Sequence, residues 1–493
     1  NVKLNNGDSY VEGTELDYSI ENMTGTIPNA SFSTKLNEGS SKFNNTLRGT
    51  AAVIFLEGES RKRGKNISIT TCEAGQDDWF INASEAEIND KSQKIIAKDA
   101  TLEFLDVPVF YTPYANFSFN DERKSGFLAP SFGSTLQSGF EAATPYYFNL
   151  SPDTDATVTP RYYEKRGAQL STEYRYLKKD YEGTSHIEYM PNDDENPDRD
   201  DRYSYKIHHF QDFGHGFSGH LKYEKVSDDD YFADLSSLVS LTSQVSLTQE
   251  LKLNYRNDDF NATLLTQAFD NLSTASPYER LPSLQISHAK DFEDIYGNNY
   301  LETNFSFEAT EFQRNSDFTG SSPEGTRITT RPSITIPFEA SYGYLKPKFT
   351  ADIKHYNLDN NQSTSNKDLF IPTFSLDSGL YFDRYFGFSG EKYSQSFEPR
   401  IFYSVTSYED QSMLPMFDTA LIDLDKNSIF SENQFVGGDR VMDSHQVTVG
   451  ATTRIIDKRG LEKFSGTIAQ RFYLEDRKVL TEDQFSNSDY QSD

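Results

Sequence analysis

Three clusters in this sequence carry side chains suited to metal or acid–base chemistry: His208-His209, Asp193-Asp194-Glu195 and Asp228-Asp229-Asp230. Adjacent residues of an extended chain point to opposite faces, so the histidine pair cannot converge on one metal. The acidic triplets are of the type that binds calcium, yet neither has the spaced ligands and glycine of an EF-hand loop. Solvated acidic loops account for them better. No Gly-rich phosphate loop, nucleophile elbow or His–Glu metalloprotease motif occurs. The expectation is a protein that is not an enzyme, with no catalytic residue, no metal and no cofactor. Cys72 is the only cysteine. It is a disulfide candidate in an oxidising compartment, and this sequence holds no second cysteine to pair with it.

Pro130 and Pro145 act on the backbone instead. Proline has no N–H, so it interrupts a hydrogen-bond ladder wherever it enters a strand. Both lie in or beside strand-like runs. Prolines also end strands and shape turns, and the residues alone leave the two readings open.

The elements that must hold these residues are strands. Only 35% of the chain is hydrophobic, yet it has 38 Phe and 30 Tyr. A disordered chain is poor in aromatics, and a soluble enzyme carries more aliphatic core. A membrane barrel explains both facts, because alternate positions face water and aromatic girdles mark the interfaces. No run of about 18 apolar residues is present, which excludes a transmembrane helix. A membrane role then requires a closed barrel. The net charge of −29 disfavours a nucleic-acid partner.

Residues 1–110 read as short strands between polar turns, one domain. Val53, Phe55, Phe80, Leu102 and Phe104 are its apolar markers, either ordinary core or the lining of a groove. Residues 111–493 shift to longer alternating runs. Leu170, Thr172, Tyr174 and Tyr176 share a face opposite Gln169, Ser171, Glu173 and Arg175, and Phe349, Ala351 and Ile353 repeat the scheme. Such runs are long enough to cross a bilayer at a tilt. The polar stretches Pro191–Asp201 and Asn357–Lys367 are the candidate extracellular loops, and ordinary solvation accounts for their polarity equally well. The chain starts at Asn1 and ends in the polar run Asp489–Asp493. The expectation is a sequence truncated at both ends, its C-terminal strands missing and two sheet edges exposed.

More specific is an ordered series of motifs. Thr71-Cys72 precedes Trp79, then come Val107-Pro108-Val109-Phe110-Tyr111-Thr112-Pro113-Tyr114 and Asp121-Glu122-Arg123-Lys124-Ser125-Gly126-Phe127-Leu128-Ala129-Pro130. Pro145-Tyr146-Tyr147-Phe148-Asn149, Asp155 to Pro160, Arg166-Gly167 and Tyr174-Arg175-Tyr176-Leu177 follow. Further on stand Lys225-Val226-Ser227-Asp228, Arg280-Leu281-Pro282, Phe397-Glu398-Pro399-Arg400, Leu414-Pro415, Phe417-Asp418 and Gly438-Asp439-Arg440. This order resembles the LPS-assembly protein family (LptD, also called OstA or Imp), from about Thr71 to Arg454.

The resemblance implies an all-β protein with two parts: an N-terminal periplasmic β-jelly roll, then a large antiparallel transmembrane β-barrel in the Gram-negative outer membrane. It implies lipopolysaccharide as cargo, a plug lipoprotein (LptE-like) inside the barrel and a periplasmic jelly-roll bridge protein (LptA-like). Acyl chains would slide through the first domain and sugars through the lumen. Pro130 and Pro145 match the prolines of the family's lateral gate, where first and last strands meet, and Cys72 matches a cysteine that links the domain to the barrel. The alternation alone also suits a general porin or ligand-gated outer-membrane channel, or a β-rich surface adhesin. A porin would not need a β-domain before the barrel or paired prolines in its first strands, and solubility without detergent would mark the adhesin.

Overall fold

The computed structural model describes the chain except residues 1, 7–8, 36–45, 76–77, 90, 92–93, 119–122, 200, 236–244, 274–276, 294–298, 316–321, 360–365, 389–390, 427 and 480–493. Asp121 and Glu122, the middle of the expected loop Asn357–Lys367, and Asp489–Asp493 therefore lie outside the described residues. What is described is all-β and antiparallel, apart from one helical turn, Tyr231–Leu235. It divides into two compact units, residues 1–177 with 185–203, and residues 178–184 with 204–493.

The first unit begins with a nine-stranded sheet. Its strands are β1 Val2–Asn6, β2 Ser9–Gly13, β3 Asp17–Ser19, β4 Thr24–Lys35, β5 Thr46–Glu57, β6 Arg61–Thr70, β7 Trp79–Asn89, β8 Lys94–Phe104 and β9 Val107–Ser118. The expected boundary after residue 110 falls inside β9. One face buries Ile27, Leu47, Ile54, Ile67, Ile69 and Ile95, with alanines between them.

Simple alternation fails midway along this sheet. Buried residues step by three, from Ile27 to Ala30, Ala51 to Ile54, Gly64 to Ile67, Ala83 to Ala86 and Ala97 to Ala100. In alternate strands a left-handed residue sits inside that step: Asn29 at φ 48°, Asn66 at φ 46° and Asp99 at φ 49°. Asn and Asp tolerate this conformation better than other side-chain-bearing residues. The extra residue re-aims the strand as a bulge does, and small alanines let the strands bend together. Apolar phase read on one side of this line is inverted on the other.

Six further strands complete the unit: β10 Gly126–Phe127, β11 Ser131–Thr135, β12 Gly139–Ala143, β13 Tyr146–Ser151, β14 Thr154–Tyr163 and β15 Gly167–Leu177. Residues of β16, Tyr181–Met190, are divided between the two units.

The second unit is a meander of β17 Arg202–Gly214, β18 Phe217–Val226, β19 Ser246–Arg256, β20 Phe260–Asn271, β21 Glu279–Glu293 and β22 Asn299–Gln313. It continues with β23 Glu324–Thr335, β24 Phe338–Ala340, β25 Gly343–Asp359, β26 Asn366–Leu380, β27 Phe382–Phe388 and β28 Glu391–Thr406. After a long connection holding β29 Ala420–Leu421 and β30 Phe435–Val436 come β31 Ser444–Asp457 and β32 Glu462–Tyr473. Hairpin connections at one end are two to five residues long, whereas those at the other reach the 37 residues between β28 and β31. No pairing among the described residues closes either sheet on itself.

Burial in this meander is inside out. Phe349, Ile353, Phe370, Phe374 and Ile401 are 40–55% exposed, while Thr350, Asp352, Lys354, Thr373, Ser375 and Ser404 are buried. The strands pair like with like, Phe349 beside Phe374 and Ile353 beside Phe370. A soluble sheet buries its apolar face. This one turns it outward, as a sheet solvated by lipid does.

Candidate functional site

The first proline site is a pair of broken strands. Pro130 closes the gap between β10 and β11, and Pro145 lies in the gap between β12 and β13. Across the gaps the register slips by one residue, from Gly126 opposite Tyr147 to Ser131 opposite Ala143. The Leu128 N–H donates to the Pro145 carbonyl at 2.9 Å, and Pro145 has no N–H with which to donate back.

A third proline repeats the defect. The Thr144 N–H donates to the Pro160 carbonyl at 3.2 Å, again without a return bond. Pro160 sits in the continuous strand β14, which pairs with both β12 and β13. Pro130, Pro145 and Pro160 recur every 15 residues, and that interval was the available signal for the third member. Each absent ladder bond removes about 1 kcal/mol of net stabilisation. The ladder is interrupted at each of these prolines.

Apolar side chains lead toward the break. On the inner face of the first sheet Ile69 pairs with Ile81, Ile81 with Leu102 and Leu102 with Phe110. Exposure rises along this line, from 6% at Ile69 to 51% at Phe104 on the next rung of the same face. Phe110 then meets Phe127 of β10 edge-on at 6.1 Å, Phe127 meets Tyr146 at 4.9 Å, and Tyr146 lies 4.7 Å from Phe148.

Of the five apolar markers expected to line a groove, Leu102 and Phe104 occupy this face. Val53, Phe55 and Phe80 do not. Val53 pairs with Lys65, and the Phe55 ring lies under the Arg63 guanidinium at 4.7 Å. Phe80 pairs with Glu103. The cause for Val53 and Phe55 is the phase reversal at Asn66, which carries Ile67 and Ile69 to the face opposite them. Phe80 is simply out of phase with its inner neighbours Trp79 and Ile81.

Cys72 is half-buried beyond the end of β6, where Arg48 Nε donates to its carbonyl at 2.7 Å. A hydrogen bond with the Thr70 hydroxyl holds its thiol below the usual range. The other chemistry-bearing clusters are dispersed. His208 meets Glu224 at 3.1 Å, while His209 lies beside Tyr181. The Asp193 carboxylate is buried between Arg166 at 2.8 Å and Arg202 at 2.6 Å, so this part of the expected loop Pro191–Asp201 is an ion-paired corner.

The second site lies in the second unit and went unread in the sequence. The described residues of 407–443, connecting β28 to β31, fold as a strap against the polar face of the sheet. Arg327 on β23 is wholly buried and donates to Asp418 at 2.7 and 2.9 Å, to Asp439 at 2.5 Å and to Glu308 of β22 at 2.5 Å. Lys354 donates to the Gly438 carbonyl at 2.6 Å. Glu432 receives Ser375 at 2.7 Å and lies 3.3–3.4 Å from Lys348 and Arg331.

Gly437 and Gly438 make the crossing possible. Gly437 has φ +78°, and a Cβ on Gly438 would stand 2.3 Å from the Arg327 guanidinium carbon. Beside the clamp Phe417 stacks on Phe312 at 4.3 Å, within an apolar cluster that also holds Tyr356, Ile371, Leu414 and Val441. The sequence did offer Phe417-Asp418 and Gly438-Asp439-Arg440 as motifs, but nothing local says that they converge on Arg327.

The family model for LPS transport system D (LptD) matches residues 200–493. The LPS-assembly protein LptD of Aromatoleum aromaticum is 36% identical over 492 residues, covering 97% of this chain and 61% of the relative. That of Thiobacillus denitrificans is 37% identical over 440 residues, with 88% and 58% covered. That of Chromobacterium violaceum is 33% identical over 507 residues, with 98% and 63% covered. The chain thus spans about three-fifths of the length of these curated relatives. Among solved structures, Pseudomonas aeruginosa OccK10 (OpdN) aligns with 71% of this chain and 99% of its own at a TM-score of 0.24 and 9% identity. With the family's model matched across more than half of the sequence, this chain belongs to the LptD family.

Proposed function

We propose that the chain is part of an outer-membrane translocon that inserts lipopolysaccharide into the outer leaflet. The second sheet, completed by further strands, forms a transmembrane barrel whose polar face is the lumen. The longer connections face outward, as in bacterial outer-membrane barrels. The first sheet is the periplasmic β-jelly roll. Acyl chains travel on its inner face past Ile81, Leu102 and Phe104, where each buried methylene is worth about 0.8 kcal/mol. They leave at the strands broken by Pro130 and Pro145, which act as the lateral gate, while the sugars follow the lumen.

One observation carries this reading: the first hairpin after the nine-stranded sheet is interrupted by proline in both of its strands. A wall that must part needs few backbone bonds at the parting line, and a porin gains nothing from losing them. A plug lipoprotein (LptE-like) within the barrel and a jelly-roll bridge protein (LptA-like) at the N-terminal sheet are the proposed partners. Cys72 is the proposed disulfide link to the barrel, through a cysteine outside this chain. The name of the relatives, LPS-assembly protein, supports the cargo.

Depletion of the full-length protein tests the function. Surface lipopolysaccharide is expected to fall while newly made lipopolysaccharide accumulates internally, read by surface labelling against total cell content. Normal surface labelling after depletion contradicts it.

A further inference from the structure

The wall beneath the strap carries an unusual charge. Arg280, Arg327, Arg331, Lys348 and Lys354 lie together on β21, β23 and β25, and among the described residues the wall carboxylates ion-paired with them are Glu308 and Asp352. This excess of three positive charges stands in a chain whose 76 acidic residues outnumber its 47 basic ones. The strap returns three carboxylates to it. Asp418 meets Arg327 and lies 3.6 Å from Arg280, Asp439 meets Arg327, and Glu432 meets Arg331 and Lys348.

Space adjoins the charge. A cavity of about 380 Å³ lies between Arg331, Asp352 and Lys354 of the wall and Asp418, Asn433 and Gly438 of the strap. A second, of about 620 Å³, adjoins it at Arg331 and also reaches Lys348 and Thr350. Both are rich in hydroxyls and amides, including Asn261, Ser287 and Ser306. Thr350 Oγ1 is buried here without a protein hydrogen-bond partner, and Asp352 Oδ2 meets only the Arg331 guanidinium, at 3.4 Å. Polar groups held this way suit a hydroxylated ligand.

We propose that Arg327, Arg331, Lys348 and Lys354 form a binding track for phosphate groups on a saccharide moving along the polar face. In the resting state the strap carboxylates Asp418, Glu432 and Asp439 stand in for those phosphates. The proposal rests on the translocon reading and names the chemistry that its lumen recognises. An exchange of carboxylate for phosphate never leaves a buried cation bare, which would be strongly unfavourable. Phosphate suits the guanidinium fork as well as carboxylate does. A neutral sugar makes no such exchange and leaves the strap in place.

Glu432→Gln in the full-length protein, in detergent micelles, is the test, because it frees Lys348 and leaves Arg331 with Asp352 alone, while the Arg327 clamp still holds the fold. Retained heat-modifiable mobility on gels confirms folding. The probe is a lipid-free oligosaccharide bearing phosphomonoesters, compared with the same sugar after phosphatase treatment and with short-chain phosphatidic acid. The phosphorylated sugar is expected to bind the variant about tenfold more tightly than the parent. The dephosphorylated sugar gains nothing, and adding Lys348→Met abolishes the gain. No gain, or an equal gain for the dephosphorylated sugar, overturns the track. A gain confined to phosphatidic acid overturns the saccharide assignment in favour of a lipid headgroup phosphate. Surface delivery by the parent separates the two claims, since unaltered binding with normal delivery sinks only the track.

Discussion

Pro130→Ala with Pro145→Ala is expected to slow lipopolysaccharide delivery about fivefold. Each alanine restores a backbone N–H to the first hairpin, one of them able to answer the Leu128–Pro145 bond. A ladder bond is worth about 1 kcal/mol net, so the bond returned at Pro145 makes the parted state about 1 kcal/mol harder to reach. A difference of 1.4 kcal/mol is a factor of about ten. The folded protein becomes more stable while transport falls, the opposite of ordinary damage. Hydrogen exchange at Leu128 and Thr144 should slow in step with surface delivery. Adding Pro160→Ala tightens the next joint, between β12 and β14, and should slow exchange at Thr144 further. Faster delivery, or unchanged exchange, refutes the weak-joint argument.

The second large effect belongs to Arg327. Arg327→Leu removes the cation that Asp418, Asp439 and Glu308 share. Breaking a buried ion pair from one side costs about 3–5 kcal/mol, so heat-modifiable unfolding should shift to markedly lower temperature and the strap should become protease-sensitive. Arg327→Lys recovers only part, because an ammonium has no fork to reach three carboxylates. Gly438→Ala is expected to loosen the strap without altering any charge, since its Cβ would enter the guanidinium. Burial alone would raise the Asp418 carboxyl, but hydrogen bonds and charge from Arg327, the Gly438 N–H and Arg280 outweigh it and lower it from 3.8 to about 2. A depressed carboxyl stabilises the fold above its ordinary value, and that contribution is lost as pH falls through about 2. The strap should therefore hold unchanged between pH 7 and 5, by protease resistance.

Alternation is a local property, and it was read correctly where the chain is locally regular. Leu170 and Tyr174 face away from Gln169 and Ser171, and Phe349 and Ile353 away from Thr350 and Asp352. It misled at Val53 and Phe55, because one left-handed residue, Asn66, reverses the phase of everything paired across it. Asn at that position is a permissive choice, not a required one, so no residue type announces the reversal. Pro130 and Pro145 were legible because a missing N–H is written in the residue itself. The Arg327 clamp was not, since its strap partners lie 91 and 112 residues further along the chain. A lone arginine within an alternating strand looks like any solvated polar position. The clue available was the turn formed by Gly437 and Gly438 beside an Asp-Arg pair, which marks a close backbone approach without saying to what.

The central claim is that lipid leaves sideways at the broken hairpin, and a photo-crosslinking amino acid placed at two outward positions tests it most directly. Leu128, 47% exposed beside the Pro130 break, should capture lipopolysaccharide during active delivery, whereas Ile353, 44% exposed on the unbroken strand β25, should not. Equal capture at both positions, or capture at Ile353 alone, would contradict the account.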